Sequence, residues 1–355
     1  MRLKFDFVPR ELIFRFDAGT SRGVLKTRKI WWVSTTDLDL TKIGWGEAAP
    51  LVKLSIDDRP DFEARLKDIL AEAENRDWEL GEETLLTQVE SIVPFEFPTI
   101  RFALEMALLD FFHGGKKRFF ENCFRDDFQS IPINGLIWMG DRDFMLAQIE
   151  EKLASGFNCI KMKIGALDFD LELSLLRYIR DQYSSAEIML RVDANGAFSP
   201  EEALEKMQKL ADLDIHSIEQ PIQAGQFEQM RLLGQNSALP IALDEELIGI
   251  KNKAELLDRL LPQHIILKPS LLGGFKETNE WIQLAEERTI GWWMTSALES
   301  NIGLNAIAQL ASKYRPSIHQ GLGTGKLFHN NLSSPLHIEK GKIHYLPTES
   351  WDNPQ

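Results

Sequence analysis

From about residue 130 onward, short apolar runs alternate with longer stretches in which apolar residues recur at helical spacing. The runs read SIPINGL, NCIKMKI, IMLRVDA, DIHSIEQ, PIALDE, HIILKPS, GWWMTSA and SIHQGLG. Between them lie amphipathic segments such as DRDFMLAQIEEKLASG, DFDLELSLLRYIRDQY and SPEEALEKMQKLADLD. Apolar runs separated by helices predict a parallel sheet, because parallel neighbours need a crossover connection. Eight such units in about 190 residues suit a closed (β/α) barrel. An open doubly wound sheet is the competing arrangement. It is disfavoured because no G-x-G-x-x-G follows the first run, and GLGTG at 321–325 leads into KLFHNN and not into a helix.

The first 130 residues have another texture. LKFDFVPRELIFRF and KTRKIWWVSTTD suit antiparallel strands, and GWGEAAP closes that stretch. Residues 58–128 then read as helical: one segment begins with Asp and Pro, and FPTIRFALEMALLDFFHGG ends on a glycine pair. Strands followed by helices predict a small α+β unit ahead of the barrel.

Several barrel runs end in a single polar residue: Lys163, Asp193, Glu219, Asp244 and Lys268. Successive members are 24 to 30 residues apart, about one βα unit each. Residues one unit apart at the carboxyl ends of strands converge on one mouth of a barrel, where such folds build their active sites. Three carboxylates from three consecutive strands form an all-oxygen donor set suited to a hard divalent cation such as Mg²⁺. Lys161 and Lys163 share one strand face, since positions i and i+2 point the same way. Taken singly, a strand-end Asp is a helix cap and a strand-end Lys a solvated charge; the joint pattern is what argues for a site.

Bulk properties narrow the function. The formal net charge of −14 argues against a nucleic-acid binder that works by neutralising phosphates. Two cysteines, Cys123 and Cys159, are too few for a disulfide scaffold or a zinc cluster and fit a reducing compartment. The N-terminal MRLKFDFVPRELIF lacks the apolar core of a signal peptide, and no run reaches the length of a membrane span. The expectation is a cytoplasmic protein with no membrane or nucleic-acid partner. Oligomeric state leaves no mark in the sequence.

KMK at 161–163, DAN at 193–195, EQP at 219–221, DE at 244–245 and KPS at 268–270 together resemble the muconate-lactonizing subgroup of the enolase superfamily. GWGEAAP at 44–50 resembles the end of that family's first sheet. SALESNIGL at 296–304 and GLGTGKLF at 321–328 resemble the seventh- and eighth-strand motifs of its o-succinylbenzoate synthases. The resemblance implies a modified (β/α)7β barrel at 126–325, an N-terminal α+β capping domain at 1–125, and a C-terminal segment at 326–355 that returns to the cap. It implies Mg²⁺, with Mn²⁺ as a substitute, held by Asp193, Glu219 and Asp244, with Asn195 and Glu245 supporting the ligands. Lys163 is then the base that removes a proton next to a carboxylate, Lys161 supports it, and Lys268 faces it across the substrate. Nearby cations and desolvation are expected to lower the pKa of Lys163.

The implied reaction is loss of water from 2-succinyl-6-hydroxy-2,4-cyclohexadiene-1-carboxylate, a small-molecule carboxylate, on the route to menaquinone. Ser296, Asn134 and Gly323 are expected to touch substrate from their strand-end positions, with a simple cap as the bland reading of Ser296. Arg22, in the loop AGTSRG at 18–23, is expected to reach a substrate carboxylate. His113, His216 and His264 have no ligand-like spacing and read as structural. Two alternatives stay open: a racemase or epimerase of N-succinylamino acids or dipeptides in the same superfamily, and a metal-stabilised binding protein. Dipeptide epimerases carry Asp-x-Asp at the eighth strand, where this chain has GLGTG.

Overall fold

A computed structural model describes residues 1–20, 23–39 and 41–354. Three antiparallel strands open the chain: β1 (Lys4–Thr20), β2 (Gly23–Thr36) and β3 (Ile43–Ala48), in the order β1-β2-β3. Helices α1 (Phe62–Glu74), α2 (Glu82–Ile92) and α3 (Pro98–Phe112) follow. Pro98 sits in the first turn of α3, where its missing N–H costs nothing. Apart from Phe112, every residue of α3 is buried, as expected of a helix that is apolar nearly all round. It lies flat against β3 because that strand carries Gly44 and Gly46. A Cβ at either position would collide with a carbonyl oxygen of α3, from Ala107 or Ala103.

A short helix α4 (Cys123–Asp126) and a two-residue strand β4 (Ile131–Pro132) lead into the barrel. Its strands are β5 (Gly135–Ile137), β6 (Cys159–Lys163), β7 (Met189–Asp193), β8 (Ser217–Glu219), β9 (Ile241–Leu243), β10 (His264–Leu267) and β11 (Gly291–Met294). They form one parallel sheet in sequence order. The barrel is closed by the SIHQGLG run: Gly321 bridges Thr295, just past β11, and Gln320 bridges Ile133, just before β5. Only Gln320 and Gly321 carry these bridges. Between the strands run α5 (Arg142–Ala154), α6 (Phe169–Arg180), α7 (Pro200–Ala211), α8 (Phe227–Asn236), α9 (Lys253–Leu260), the one-turn α10 (Pro269–Leu272) with α11 (Gly274–Glu287), and α12 (Asn301–Lys313). The fold is a (β/α)7β barrel with an N-terminal α+β cap. Side-chain caps start several helices, Asp141 for α5 and Asp168 for α6 among them.

Buried polar contacts fasten cap to barrel. Glu47 of β3 is fully buried and accepts the backbone N–H groups of Ser300 (2.8 Å) and Gly303 (3.0 Å) at the start of α12. A carboxylate there meets free N–H groups and the positive end of the helix dipole. Arg101 of α3 pairs with Glu277 of α11 at 2.9 Å. Near the C-terminus, Arg15 N–H donates to Leu327 and His329 N–H to Ile13, which lays residues 327–329 beside β1. The hairpin β12 (Leu336–Glu339) and β13 (Lys342–Tyr345) then pairs with β4. Among the described residues, no helix is long and apolar enough to cross a membrane.

Candidate active site

The parallel register puts the strand-end residues in one ring. Lys163 pairs in register with Asp193, and Asp193 with Glu219. Asp244 follows β9 and Lys268 follows β10. Because β6 and β10 stand four strands apart in an eight-stranded barrel, Lys163 and Lys268 face each other across the mouth. All five side chains are buried or nearly so, and Lys161, Lys163, Asp193 and Lys268 line a cavity of ≈ 1340 Å³ between cap and barrel. Phe16, Leu25 and Trp138 give it apolar walls.

Lys161 Nζ lies 2.6 Å from Glu219 and 3.1 Å from Asp193, and Lys163 Nζ lies 3.0 Å from the same Asp193 oxygen. Lys268 contacts Asp244 and lies 3.9 Å from Glu219. Two ammonium groups on one strand face therefore share a carboxylate. Burial alone would push the Lys161 ammonium down, but Asp193 and Glu219 outweigh it and hold it above its usual value. Burial would likewise raise Asp193; Lys161, Lys163 and Lys268 outweigh that and hold it below the usual carboxylate range. Asp244 goes the other way. Burial and the neighbouring carboxylates of Glu245 and Glu219 push it well up.

Asn195 accepts from Lys163 Nζ at 2.6 Å through Oδ1 and donates to Glu245 at 3.0 Å through Nδ2. It sits at φ 44°, the left-handed conformation that Asn tolerates better than most residues. Its own N–H donates to Asp193. Asn195 thus ties the Lys163 ammonium to the Asp193 strand end.

The donor set fits a hard divalent cation. Glu219 Oε1 is buried with no hydrogen-bond partner, and Asp244 is crowded by the carboxylates of Glu245 and Glu219, so the oxygen cluster favours added positive charge. Among the described residues, no three acidic, His or Cys side chains stand close enough to chelate an ion as they are. The Lys161 and Lys268 ammonium groups bridge the carboxylates instead.

The other predicted contacts divide. Asn134 is buried and lines the cavity with its Oδ1 unpartnered, and Gly323 lines it from the eighth-strand side. Ser296 lines it too, but it is not the cap of α12: that residue is Ser300, whose Oγ accepts from Ile302 N–H. Ser296 Oγ is held by Glu299 and by Leu298 N–H. Arg22 lies outside the described residues. His216 and His264 stack on each other at 5.1 Å, away from the carboxylates, and His113 pairs with Glu82. Glu47 and Glu299 were not singled out in the sequence. Their partners Ser300 and Ser270 are distant along the chain or across a turn, and no periodicity marks them.

Residues 145–349 match the family model described as enolase C-terminal domain-like. Over 357 aligned residues the chain is 47% identical to the o-succinylbenzoate synthase of Desulfotalea psychrophila, covering 94% of this chain and 96% of that one. The chain belongs to the enolase superfamily. MenC from Desulfotalea psychrophila superposes with a TM-score of 0.84 at 42% identity, over 97% of this chain and 100% of the other. The chain is also similar to the L-Ala-D/L-Glu epimerase of Bacillus subtilis, 25% identical over 78% of this chain and 76% of that one. The muconate lactonizing enzyme of Pseudomonas putida shares the fold, with a TM-score of 0.79 at 20% identity over 97% of this chain and 94% of that one.

Proposed function

We propose that this enolase-superfamily chain is an o-succinylbenzoate synthase, acting on 2-succinyl-6-hydroxy-2,4-cyclohexadiene-1-carboxylate in menaquinone biosynthesis. The observation that carries this is the 47% identity to the Desulfotalea psychrophila synthase over nearly the whole of both chains. In this reading residues 1–125 cap the mouth, 126–325 carry the chemistry, and 326–355 tie the barrel back to the cap.

Asp193, Glu219 and Asp244 would hold Mg²⁺, with Asn195 and Glu245 orienting them. When bound, the ion supplies fixed positive charge against the negative charge that develops on the substrate carboxylate as its α-proton leaves. Lys163 removes that proton from one face. Lys161, held between Asp193 and Glu219, keeps a second positive charge beneath it. Lys268, on the opposite wall, stays protonated and faces the enediolate oxygens. Lys163 then returns its proton to the departing hydroxyl on the same face, so that water leaves and the ring becomes aromatic. The apolar cap walls exclude bulk water, which strengthens each of these interactions.

The opposed Lys163 and Lys268 also suit racemisation, one lysine removing the α-proton and the other replacing it. Gly323, in the GLGTG segment of the eighth strand, offers no carboxylate to hold a substrate amine, which disfavours a dipeptide and leaves an N-succinylamino acid as the second reading. The test is to incubate the protein with Mg²⁺ and each of three substrates: the cyclohexadiene carboxylate, an N-succinylamino acid and a dipeptide. Rapid aromatic product, removed by a chelator, is expected from the first. Racemisation without dehydration would reverse the assignment.

A further inference from the structure

Beyond Lys161, Lys163 and Lys268, the cavity is lined by the cations Arg15, Lys53, Lys152, Lys326 and Lys340. Lys152 stands 2.8 Å from Glu151 and Lys340 3.7 Å from Glu339, as the three deeper lysines stand beside Asp193, Glu219 or Asp244. Arg15 spends its Nε on the Phe328 carbonyl at 3.2 Å, and Lys53 holds the Asp58 carboxylate on its own N–H at 2.7 Å. Lys326 is exposed, and among the described residues its ammonium has no carboxylate beside it. The seam between cap and barrel sets its position. Phe14 of β1 forms an antiparallel bridge with Phe328, and Arg15 N–H donates to Leu327 at 2.9 Å. Two residues further along that pairing Lys326 comes opposite Phe16, and residues opposite each other project to one face. Phe16 packs edge-on against Trp138 at 5.6 Å and walls the same cavity.

Barrel order determines what approaches Lys326. Glu219 ends the fourth barrel strand, and the run SIHQGLG that leads to Lys326 forms the eighth, directly across the mouth. The ring carboxylate of the substrate turns towards Asp193, Glu219 and Asp244, between Lys163 and Lys268. Its succinyl arm is then left the opposite wall, where the chain climbs from the eighth run to the cap. We infer that Lys326 binds the remote carboxylate at the end of that arm, while Phe16 covers the two methylenes leading to it. This deepens the synthase reading and rests on it. The remote carboxylate keeps its charge throughout the dehydration, so Lys326 serves binding and not the chemical step.

The test compares o-succinylbenzoate with 2-butanoylbenzoate, which ends the same arm in a methyl group. Both are titrated calorimetrically with Mg²⁺ present into wild type, Lys326→Gln, Lys326→Arg and Lys326→Glu. Lys326→Gln is expected to weaken o-succinylbenzoate about fivefold at low ionic strength, the upper end for an exposed ion pair, and to leave 2-butanoylbenzoate within about twofold. The difference should fade towards about 1 M salt. Lys326→Arg, which keeps the charge, should bind both ligands as wild type does, and Lys326→Glu should exceed the loss seen with Lys326→Gln. In turnover, Lys326→Gln should raise KM by the same factor as the Kd of o-succinylbenzoate, with kcat within about twofold. Equal effects of Lys326→Gln on both ligands, or no loss for o-succinylbenzoate, would overturn this inference and leave the synthase reading standing. If wild type fails to dehydrate the cyclohexadiene carboxylate, the synthase reading fails and takes this inference with it.

Discussion

Lys161 is the side chain whose removal the site should tolerate least in the absence of an added ion. Its ammonium stands 2.6 Å from Glu219 and 3.1 Å from Asp193, and both carboxylates are at most 2% exposed. Lys161→Met keeps the length and bulk of the side chain but deletes the charge between two buried anions. Removing one partner of a buried ion pair costs about 3–5 kcal/mol, because the other is left uncompensated. An unfolding entropy of about 2.1 cal/mol/K per residue makes about 4 kcal/mol worth roughly 5 °C in a chain of this length. Thermal unfolding at pH 8 with a chelator should show that drop. At pH 5 the deficit should shrink, since Glu219, left without its 2.6 Å ammonium partner, can take up a proton. Mg²⁺ at about a hundred times its Kd should return about 2.7 kcal/mol if these oxygens bind it. A Lys161→Met protein as stable as wild type at pH 8 with chelator present would refute the charge balance described for this site.

Asp244→Asn should lower Mg²⁺ affinity by at least tenfold, measured by isothermal titration, because it removes one anionic oxygen donor; unchanged affinity would remove Asp244 from the ligand set. Gly46→Ala should destabilise the cap by about 1–3 kcal/mol in thermal unfolding, since the added methyl meets the Ala103 carbonyl and no rotamer relieves it; a neutral effect would mean that β3 and α3 can separate freely. Glu105 is fully buried and pushed up to about 8, chiefly by burial and against the Phe275 N–H bond. The folded form thus keeps a proton that the unfolded chain releases near its ordinary value, so this group's contribution is intact below about pH 4.5 and is lost progressively up to about pH 8. Glu105→Gln should gain on wild type across that window by up to about 1.4 kcal/mol per pH unit, and a pH-independent difference in Tm would contradict it.

Much of this site was legible because a parallel barrel converts sequence spacing into geometry. Each strand end recurs one βα unit after the last, so Lys163, Asp193, Glu219, Asp244 and Lys268 could be placed around one mouth before any coordinates. The strong alternation of apolar runs and amphipathic helices fixed the barrel in the same way. The eighth strand was the weakest signal, and its bridges are carried by Gln320 and Gly321 alone. Strand periodicity places Lys161 and Lys163 on a shared face but does not show the anion on the neighbouring strand. Asp193, in register with Lys163, supplies that anion.

Hydrogen-bond polarity was not legible. Ser296 read as a substrate contact from its place at a strand end, yet its proton belongs to Glu299, which sits three residues on around a turn. The cap contact from Glu47 to Ser300 spans 253 positions, a distance over which one sequence carries no pairing signal. Both involve buried carboxylates whose role is set by what surrounds them in space.

The central claim is that Lys163 moves the proton. Replacing it with Ala should abolish Mg²⁺-dependent formation of o-succinylbenzoate from the cyclohexadiene carboxylate, while circular dichroism and Mg²⁺ affinity stay close to wild type. A folded, metal-binding Lys163→Ala protein that turns over at the wild-type rate would contradict the account.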